Sequence, residues 1–409
     1  MKKRRFFLTV FALMIFPLVL VPAADEKKPR ARDLGIPFDG TPGSLNAITD
    51  VSGVEVGHTT LISGNGELQV GVGPVRTGVT AIFPRGKENP NPVFAGWFSQ
   101  NGNGEMTGTT WVEESGFLEG PVMITNTLSV GIVHHSVIAW GVQQGTEKDR
   151  YSHLASLPVI AETWDGHLND ILGQHIKEKH VFQAIESAAS GPVAEGNVGG
   201  GTGMICHGFK GGIGTASRTV SIDSSTYTIG VLVQANYGSM DELRIAGIPV
   251  GREIREIWKK EETGKEDEFN LDQQSPSDVP AYADKGSIII VIATDAPVLA
   301  RQLKRLARRA SMGLARNGSY SGNSSGDIFI VFSTANQGAH RGPVPPKVTM
   351  LTNSQTGRLF LPVVQATEEA IINALVAAET LTGIDGHTIR ALPHDLVKQI
   401  LKKYNRLLE

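Results

Sequence analysis

The chain has 409 residues, 40% of them hydrophobic and 19% charged, which allows one large domain or two ordinary domains with substantial cores. Its formal net charge of −3 implies no general affinity for nucleic acid. The sole cysteine, Cys206, excludes an intrachain disulfide and argues against thiolate metal sites.

The N-terminus has the pattern of a secretory signal peptide over residues 1–24. The basic stretch KKRR precedes an apolar run at 6–20, and small residues at Ala23 and Ala24 end it before the polar stretch DEKK. The run is short for a bilayer span, so an uncleaved anchor is the weaker interpretation. No later segment resembles a transmembrane helix. We therefore expect a periplasmic or secreted protein without membrane contact once the signal is removed.

Short apolar segments between glycine-rich turns predict an α/β (α+β) protein built in layers. The predicted strands are residues 54–61, 79–83, 121–125, 157–163, 227–234, 287–293 and 327–333. The predicted helices are residues 129–144, 181–190, 297–315, 368–382 and 396–408. Asp295 is a start signal for the third of these helices. One face of that helix is basic, which we interpret as a solvated face or a contact for an acidic segment.

Several glycine-rich segments lie between these elements. GNVGGGTG at 196–203 lacks the Lys-Ser/Thr ending of a nucleotide-binding loop, so it favours tight turns and close backbone packing. NGNGEMTG at 101–108 and VQANYG at 233–238 place asparagine amides in turns at strand ends. Such an amide can donate to a developing oxyanion, although most Asn-Gly pairs are merely turns. SGNSSGD at 321–327 opens a strand with hydroxyls and an acid.

The junction between Gly286 and Ser287 is the most informative feature. Residues 259–285 have almost no aliphatic side chains, which predicts an exposed or disordered linker over 259–286. The following SIIIVIA run is typical of a strand buried on both faces. A serine in this position fits a nucleophile that chain cleavage releases, because its new α-amine can act as the base. By itself, a Gly-Ser turn entering a strand is the more common explanation.

Other catalytic patterns fit the sequence poorly. His134 and His135 are adjacent on a predicted helix, where neighbours do not share a face, and no HExxH motif is present. GNSSG at 322–326 formally matches G-x-S-x-G, but it precedes a strand and does not link a strand to a helix. We therefore expect no metal ion and no other cofactor.

Motifs from about residue 33 to about residue 382 resemble one family, the self-processing serine aminopeptidases. This family includes the D-stereospecific L-aminopeptidase/esterases and the β-peptidyl aminopeptidases. The motifs, in chain order, are ITDVSGVEVGHTTL, NGNGEMTGTTWVEESG, ITNTLSVG, AETWDGHLND, GNVGGGTGMICHGFKGGIGTASR, VLVQANYG, KGSIIIVIATDAP and SGDIFIVFSTAN. So many matches in one order make the resemblance specific.

The resemblance implies roles for the residues around the junction. Ser287 would be the nucleophile, exposed when the bond between Gly286 and Ser287 is cut. Asn236 would donate a hydrogen bond to the oxyanion. Ser325 and Asp327 would hydrogen-bond the nucleophile and hold the new α-ammonium group.

The resemblance also implies a substrate site and an assembly. Glu162 would bind the free amino group of the substrate, and Trp164 would line the pocket. The family fold is a four-layer αββα sandwich, which resembles N-terminal-nucleophile hydrolases with different connectivity. Cleavage would give an α chain, 25–286, and a β chain, 287–409, that assemble as a tetramer of heterodimers.

The sequence thus predicts an autoproteolytically activated serine aminopeptidase that acts on small peptides or amides through an acyl-enzyme on Ser287. We favour release of N-terminal β-amino acids, since the signal peptide and Trp164 resemble that branch of the family. Family members carry Tyr or Trp at the position of Trp164 and Asp or Glu at that of Asp327, so D/L-aminopeptidase activity with amidase or esterase activity stays open. A second alternative is an uncleaved, non-catalytic secreted binding protein.

Overall fold

The computed structural model describes residues 28–145, 149–262, 286–340 and 346–408. The predicted signal peptide, 1–24, and residues 263–285 of the predicted linker lie outside the described residues. The strands are β1 (Glu55–Ser63), β2 (Val75–Phe83), β3 (Val93–Ser99), β4 (Phe117–Leu118), β5 (Val122–Asn126), β6 (Val159–Thr163), β7 (Ile205–Cys206), β8 (Phe209–Lys210), β9 (Gly212–Ile222), β10 (Ser225–Tyr237), β11 (Gly286–Thr294), β12 (Ile328–Ser333), β13 (Leu381–Thr382) and β14 (Thr388–Ile389). The helices are α1 (Thr109–Ser115), α2 (Val130–Gln144), α3 (Glu178–Glu186), α4 (Val250–Glu262), α5 (Ala300–Arg316), α6 (Asn353–Gly357), α7 (Phe360–Ala377) and α8 (His394–Lys403).

Two sheets form the middle of the molecule. The larger has the strand order β4-β3-β12-β11-β10-β9, and the smaller has the order β1-β2-β5-β6. β11 pairs antiparallel with β10 and parallel with β12, while β5 and β6 are parallel. A shared apolar core, with residues from both sheets, shows that the two sheets pack face to face.

Helices cover the outer face of each sheet, so the layers are αββα, as predicted. α5 and α7 pack on the larger sheet, and α2 and α3 pack on the smaller one. The apolar run in β11 follows from this layering. Ile289 and Val291 point into the core between the sheets, whereas Ile288 and Ile290 point toward the helices. Because both faces are covered, every residue from Ser287 to the end of β11 is buried.

Two long strands were not predicted. β3 carries Phe94 and Trp97 beside small residues, and β9 reads GIGTASRTVSI. In β9 the polar side chains of Thr215, Ser217 and Arg218 are buried because other elements satisfy them. Arg218, only 1% exposed, donates to Glu369 on α7 at 2.6 Å. A carboxylate that comes from a distant helix gives no local signal in the sequence.

Several predicted boundaries were wrong for local reasons. Asp295 does not cap α5; its Oδ1 accepts from the N–H of Thr228 on the neighbouring strand, and α5 begins only at Ala300. α7 begins eight residues before the predicted start, since Pro362 falls in its first turn, where proline is tolerated. The first four residues of the predicted linker, 259–262, are the end of α4. Their Lys and Glu side chains are good helix formers.

The basic face of α5 is partly paired with other surface groups. Lys304 Nζ lies 2.6 Å from Glu113 Oε1, and the Arg309 guanidinium lies 3.8 Å from the ring centroid of Phe360. These contacts agree with a largely solvated face, where an ion pair adds at most about 1 kcal/mol.

One helical stretch, Asn353–Ala377, is long and apolar enough to cross a membrane, contrary to the sequence-based expectation. In the described structure 83% of its most apolar 18-residue stretch is buried inside the protein, where α7 packs against α5, β9 and β10. A core helix that is apolar all round has the same composition as a membrane span.

Candidate active site

Ser287 and Asn236 lie opposite each other at one edge of the larger sheet. The antiparallel register of β10 and β11 pairs Asn236 with Ser287 and Tyr237 with Gly286. Ser287 and Asn236 are each 7% exposed, so both side chains are nearly enclosed but still reach solvent. The pairing of two strands thus brings together the two residues that were predicted as nucleophile and oxyanion donor.

The loop before β12 reaches the same edge. The N–H of Gly326 donates to Ser287 Oγ at 3.0 Å, and Ser325 and Asp327 flank that glycine. The parallel pairing of β11 with β12, which sets Ile289 beside Ile328, brings this loop to Ser287. Ser325 and Asp327 are both fully buried, behind the hydroxyl of Ser287.

The side-chain amide of Asn236 is held in a defined orientation. Its Oδ1 accepts from the N–H of Ile205 at 2.8 Å, and its Nδ2 donates to the carbonyl oxygen of Trp164 at 3.0 Å. A backbone N–H can only donate and a carbonyl can only accept, so the two partners fix which end of the amide faces which way. One N–H of Nδ2 is left for a bound group.

Glu162 places a buried carboxylate at the edge of the smaller sheet. It is only 4% exposed, and its oxygens accept from the N–H of Glu105 at 2.9 Å and from Thr127 Oγ1. Glu162 lies near the end of β6 and Thr127 directly follows β5, so the parallel pairing of these strands brings them together. Burial raises the pKa of the Glu162 carboxyl, while the hydrogen bonds from Thr127 and Glu105 oppose that rise.

A cavity of about 530 Å³ joins these groups. Its lining includes Thr127, Glu162, Trp164, His167, Asn236, Gly286 and Ser287. Trp164 is 49% exposed and borders the open side. The structure therefore brings Ser287, Asn236, Glu162 and Trp164 to one cavity, whereas Ser325 and Asp327 are buried on either side of Gly326 and do not line it. A hydroxyl, an amide donor and a buried carboxylate in one cavity suit acyl transfer on a substrate that carries a positive charge.

Residues 46–389 match Peptidase family S58. The chain belongs to this family. It is 53% identical over 399 residues to the beta-peptidyl aminopeptidase BapA of Sphingosinicella microcystinivorans, a match that covers 97% of this chain and 98% of that protein. The resemblance to serine aminopeptidases is thus confirmed, and the protein is a hydrolase with aminopeptidase activity.

Solved structures agree on the fold. The L-aminopeptidase D-Ala-esterase/amidase from Ochrobactrum anthropi matches with a TM-score of 0.81 and 46% identity over 93% of this chain and all of the other. That structure is described as a prototype for the serine aminopeptidases and as a variant of the Ntn-hydrolase fold. A Burkholderia sp. beta-aminopeptidase matches with a TM-score of 0.76 and 43% identity over 92% of this chain and 99% of the other. The predicted fold class is confirmed.

Two asparagines that the sequence analysis considered either as oxyanion donors or as turn residues bind the loop before β12. Asn101 Oδ1 accepts from the N–H of Asp327 at 2.8 Å, and its Nδ2 donates to the carbonyl of Gly322 at 3.0 Å. Asn103 Nδ2 donates to the carbonyl of Ser324 at 2.7 Å. These amides therefore hold the loop beside Ser287 in position, and Asn103 also lines the cavity. The sequence signal was the NGNG stretch, but its partner loop was not predictable from it.

We expect Asn101→Ala to destabilise this loop. Two hydrogen bonds are lost at once, each worth about 0.5–1.5 kcal/mol, so the free energy of unfolding should fall by about 1–3 kcal/mol. Thermal unfolding of the variant should show a lower Tm, and kcat/KM should fall. Asn91→Ala is the matched control because Asn91 lies on an exposed loop and bonds locally to Asn89. An unchanged Tm and kcat/KM in Asn101→Ala would show that the loop holds its position without this side chain.

The glycine-rich segment 196–203 packs between the sheets, as predicted. A Cβ on Gly199 would lie 2.3 Å from Thr80 Oγ1, and one on Gly200 would lie 2.2 Å from Gln234 Oε1. Larger residues have no space there, so the glycines let the loop approach both sheets.

Within residues 28–145, 149–262, 286–340 and 346–408, no three His, Cys, Asp or Glu side chains are placed to hold a metal ion. His135 is exposed and His134 half-buried on α2, and Cys206 is buried in β7.

Proposed function

We propose that this protein is a self-processing serine aminopeptidase that releases N-terminal β-amino acids from small peptides and amides. The observation that supports this most strongly is one cavity that holds both the Ser287 hydroxyl, bonded to the N–H of Gly326, and the buried carboxylate of Glu162. A nucleophile and an ammonium site in the same cavity would restrict attack to the first residue of a peptide.

Self-processing would begin at the junction. Ser287 Oγ attacks the carbonyl carbon of Gly286, the C–N bond between the two residues breaks as the nitrogen takes up the proton, and water hydrolyses the resulting ester. Gly286 suits this position because its φ is +97° and a Cβ there would lie 2.0 Å from the carbonyl oxygen of Asn236. A side chain at this position would push the scissile bond away from β10.

The new N-terminus would then serve catalysis. The α-amine of Ser287 takes the hydroxyl proton as Oγ attacks the substrate carbonyl, and it returns that proton to the leaving amine. Water hydrolyses the acyl-enzyme and releases the first residue. Asn236 donates to the oxyanion that forms in each step. The buried carboxylate of Asp327 and the hydroxyl of Ser325, one residue on either side of Gly326, would hold the α-amino group and the nucleophile.

Selectivity for a free N-terminus would come from Glu162. We predict that Glu162→Gln lowers kcat/KM for substrates with a free amino group by roughly one to two decades, since a charge-assisted hydrogen bond is worth roughly 1.5–3 kcal/mol. Chain cleavage should proceed normally, because the junction presents no ammonium group. The measurement compares a β-homoamino-acyl p-nitroanilide with its N-acetylated analogue. If the variant is cleaved normally and still discriminates fully against the acetylated substrate, Glu162 is not the group that binds the ammonium.

The same carboxylate predicts a pH dependence. Glu162 binds an ammonium only when ionised, and burial raises the pKa of its carboxyl. As the pH falls through that raised pKa, kcat/KM should fall, and this should happen at a higher pH than for an exposed glutamate. In Glu162→Gln the part of the acidic limb that titrates with this carboxyl should disappear, while the part caused by protonation of the Ser287 α-amine should stay. An acidic limb of the same slope and midpoint in both proteins would show that Glu162 does not contribute to it.

The choice of β-amino acids rests on the relatives. Two matched proteins, BapA and the Burkholderia enzyme, are named for β-aminopeptidase activity, and BapA matches over nearly the full chain. The alternative, D/L-aminopeptidase activity with amidase or esterase activity, is favoured by the match to the Ochrobactrum enzyme. Side-by-side kcat/KM values for β-homoalanine, L-alanine and D-alanine p-nitroanilides would decide between them.

Export and assembly are further parts of the proposal. The N-terminal pattern at 1–24 would direct the protein to the periplasm or the medium, and cleavage would give an α chain, 25–286, and a β chain, 287–409, assembled as a tetramer of heterodimers. Fractionation of the host cell, mass spectrometry of both chains and light scattering of the purified protein test these points. A single intact chain without activity would instead support the non-catalytic binding protein.

A further inference from the structure

Lys210 places a buried cation behind the candidate oxyanion site. The side chain is fully buried, and its Nζ donates to the carbonyl oxygens of Met204 at 2.7 Å, Gly211 at 2.8 Å and Gly201 at 3.3 Å. A neutral amine has two N–H groups, whereas three acceptors surround this nitrogen. The cage therefore fits the three N–H groups of an ammonium ion. No part of the mechanism above uses this group.

One peptide bond connects this ammonium to Asn236. The carbonyl of Met204 accepts from Lys210 Nζ, and the N–H of the same peptide unit, that of Ile205, donates to Asn236 Oδ1 at 2.8 Å. A cation on the carbonyl oxygen polarises the peptide and strengthens its N–H as a donor. The amide of Asn236 is polarised in turn, which makes its Nδ2 a better donor toward the cavity.

The backbone around Lys210 is packed tightly enough to transmit this effect. The residue is on β8, whose partner β7 carries Ile205, and a Cβ on Gly211 would lie 2.4 Å from the carbonyl oxygen of Ala235. Gly211, which directly follows Lys210, thus adjoins Ala235, the strand residue that directly precedes Asn236. Small shifts of the ammonium would move the peptide that orients the amide.

The cost of burial argues for a role that needs the charge. Burial lowers the pKa of the Lys210 amine to about 7, which shows how strongly this environment opposes the ion. Among the described residues its hydrogen-bond partners are three backbone carbonyls, and a neutral amine could donate to only two of them. A purely structural donor would not require a buried charge.

We propose that Lys210 is a positioning residue that orients and polarises the amide of Asn236 through the peptide bond between Met204 and Ile205. The inference rests on the proposed function, because it assumes that Asn236 stabilises an oxyanion on the substrate of Ser287.

A double-mutant cycle with Lys210→Met and Asn236→Ala tests this coupling, using a β-homoamino-acyl p-nitroanilide. Lys210→Met should lower kcat about tenfold or more, with KM within twofold, because the oxyanion exists only in the transition state. In the Asn236→Ala background the same change should cost less than about twofold, since the group through which Lys210 acts is gone. Equal fold losses in both backgrounds would overturn the proposal.

Phe209→Leu is the matched control for disturbance of the hairpin. Phe209 is buried on the same short strand and packs edge-on against Trp258. Its replacement therefore affects packing but leaves the hydrogen bonds that link Lys210 to Asn236 in place. Its kcat should stay within about twofold of wild type while its Tm falls. A loss of kcat equal to that of Lys210→Met would also contradict the proposal.

Two further results separate the possible failures. If Lys210→Met does not fold, Lys210→Gln replaces it in the same cycle, because glutamine keeps two N–H donors without the charge. If neither variant folds, the lysine is structural and the proposal is wrong. Ser287→Ala is assayed in parallel. Full activity in that variant would refute the proposed function itself, whereas an inactive Ser287→Ala with an additive cycle refutes only the role of Lys210.

Discussion

Ser287→Ala should give a single, folded, inactive chain. Without the hydroxyl no group can attack the carbonyl of Gly286, so the junction stays intact, and no acyl-enzyme can form. We expect kcat/KM to fall by about 10⁴-fold or more, as when the nucleophile of a serine hydrolase is removed. The αββα core should persist, since Ser287 lies near the start of β11 and, among the described residues, its hydroxyl accepts a hydrogen bond from the N–H of Gly326.

Denaturing electrophoresis and mass spectrometry measure the cleavage, and a p-nitroanilide assay measures the activity. Ser225→Ala is a suitable control, because Ser225 begins the neighbouring strand β10 but is exposed and far along the ladder from Ser287. The Ser225→Ala protein should be cleaved between Gly286 and Ser287 and should be fully active. Normal cleavage of Ser287→Ala would rule out an intramolecular serine mechanism, and normal activity would place the nucleophile elsewhere.

Asn236→Ala should have the second-largest effect. Removal of a single oxyanion donor typically costs about 10²–10³ in kcat, and Asn236 is the residue that the register of β10 and β11 sets directly opposite Ser287. KM should change little, because the negative charge exists only in the transition state. Single-turnover kinetics with a p-nitroanilide substrate measure the acylation step directly.

Asn236→Asp supplies the matched comparison. The side chain has the same shape and can still accept from the N–H of Ile205, but it offers a negative charge where the oxyanion forms. Acylation should therefore be at least as slow as in Asn236→Ala. If Asn236→Asp were faster and both variants kept near-normal kcat, the side chain would serve only to hold Trp164 and Ile205 in place.

The local features of the sequence predicted the burial of one strand and the close packing of one loop. The apolar run that follows Ser287 predicted a strand buried on both faces. In the layered structure its side chains alternate between the core shared by the two sheets and the core between the larger sheet and its helices. The glycines at 196–203 predicted close packing, which the short distances to Thr80 and Gln234 confirm. Both predictions succeeded because the signal, a β-branched run or a missing Cβ, is contained in neighbouring residues.

The positions of β9 and α7 show where local patterns failed. β9 contains buried polar residues, and Arg218 can lie there only because Glu369 arrives from α7. No start signal in the sequence marks the first turn of α7, where Pro362 is buried and Phe360 lies against Arg309 of α5. Partners that come from distant parts of the chain decide these cases, so propensity alone could not.

The sequence by itself determined the layered α/β class, the serine that opens a buried strand and, through its motifs, the family. The tertiary structure decided how the site is assembled. The register of β10 and β11 sets Asn236 opposite Ser287, and the packing of the two sheets brings Glu162 to the same cavity. Asn101 acquires its position in the site from a contact with Asp327, far along the chain, whereas Lys210 Nζ donates to Met204, only a few residues away. The physical reason is that residue types and their spacing fix local conformation, whereas strand register and sheet packing depend on the burial of side chains from the whole chain.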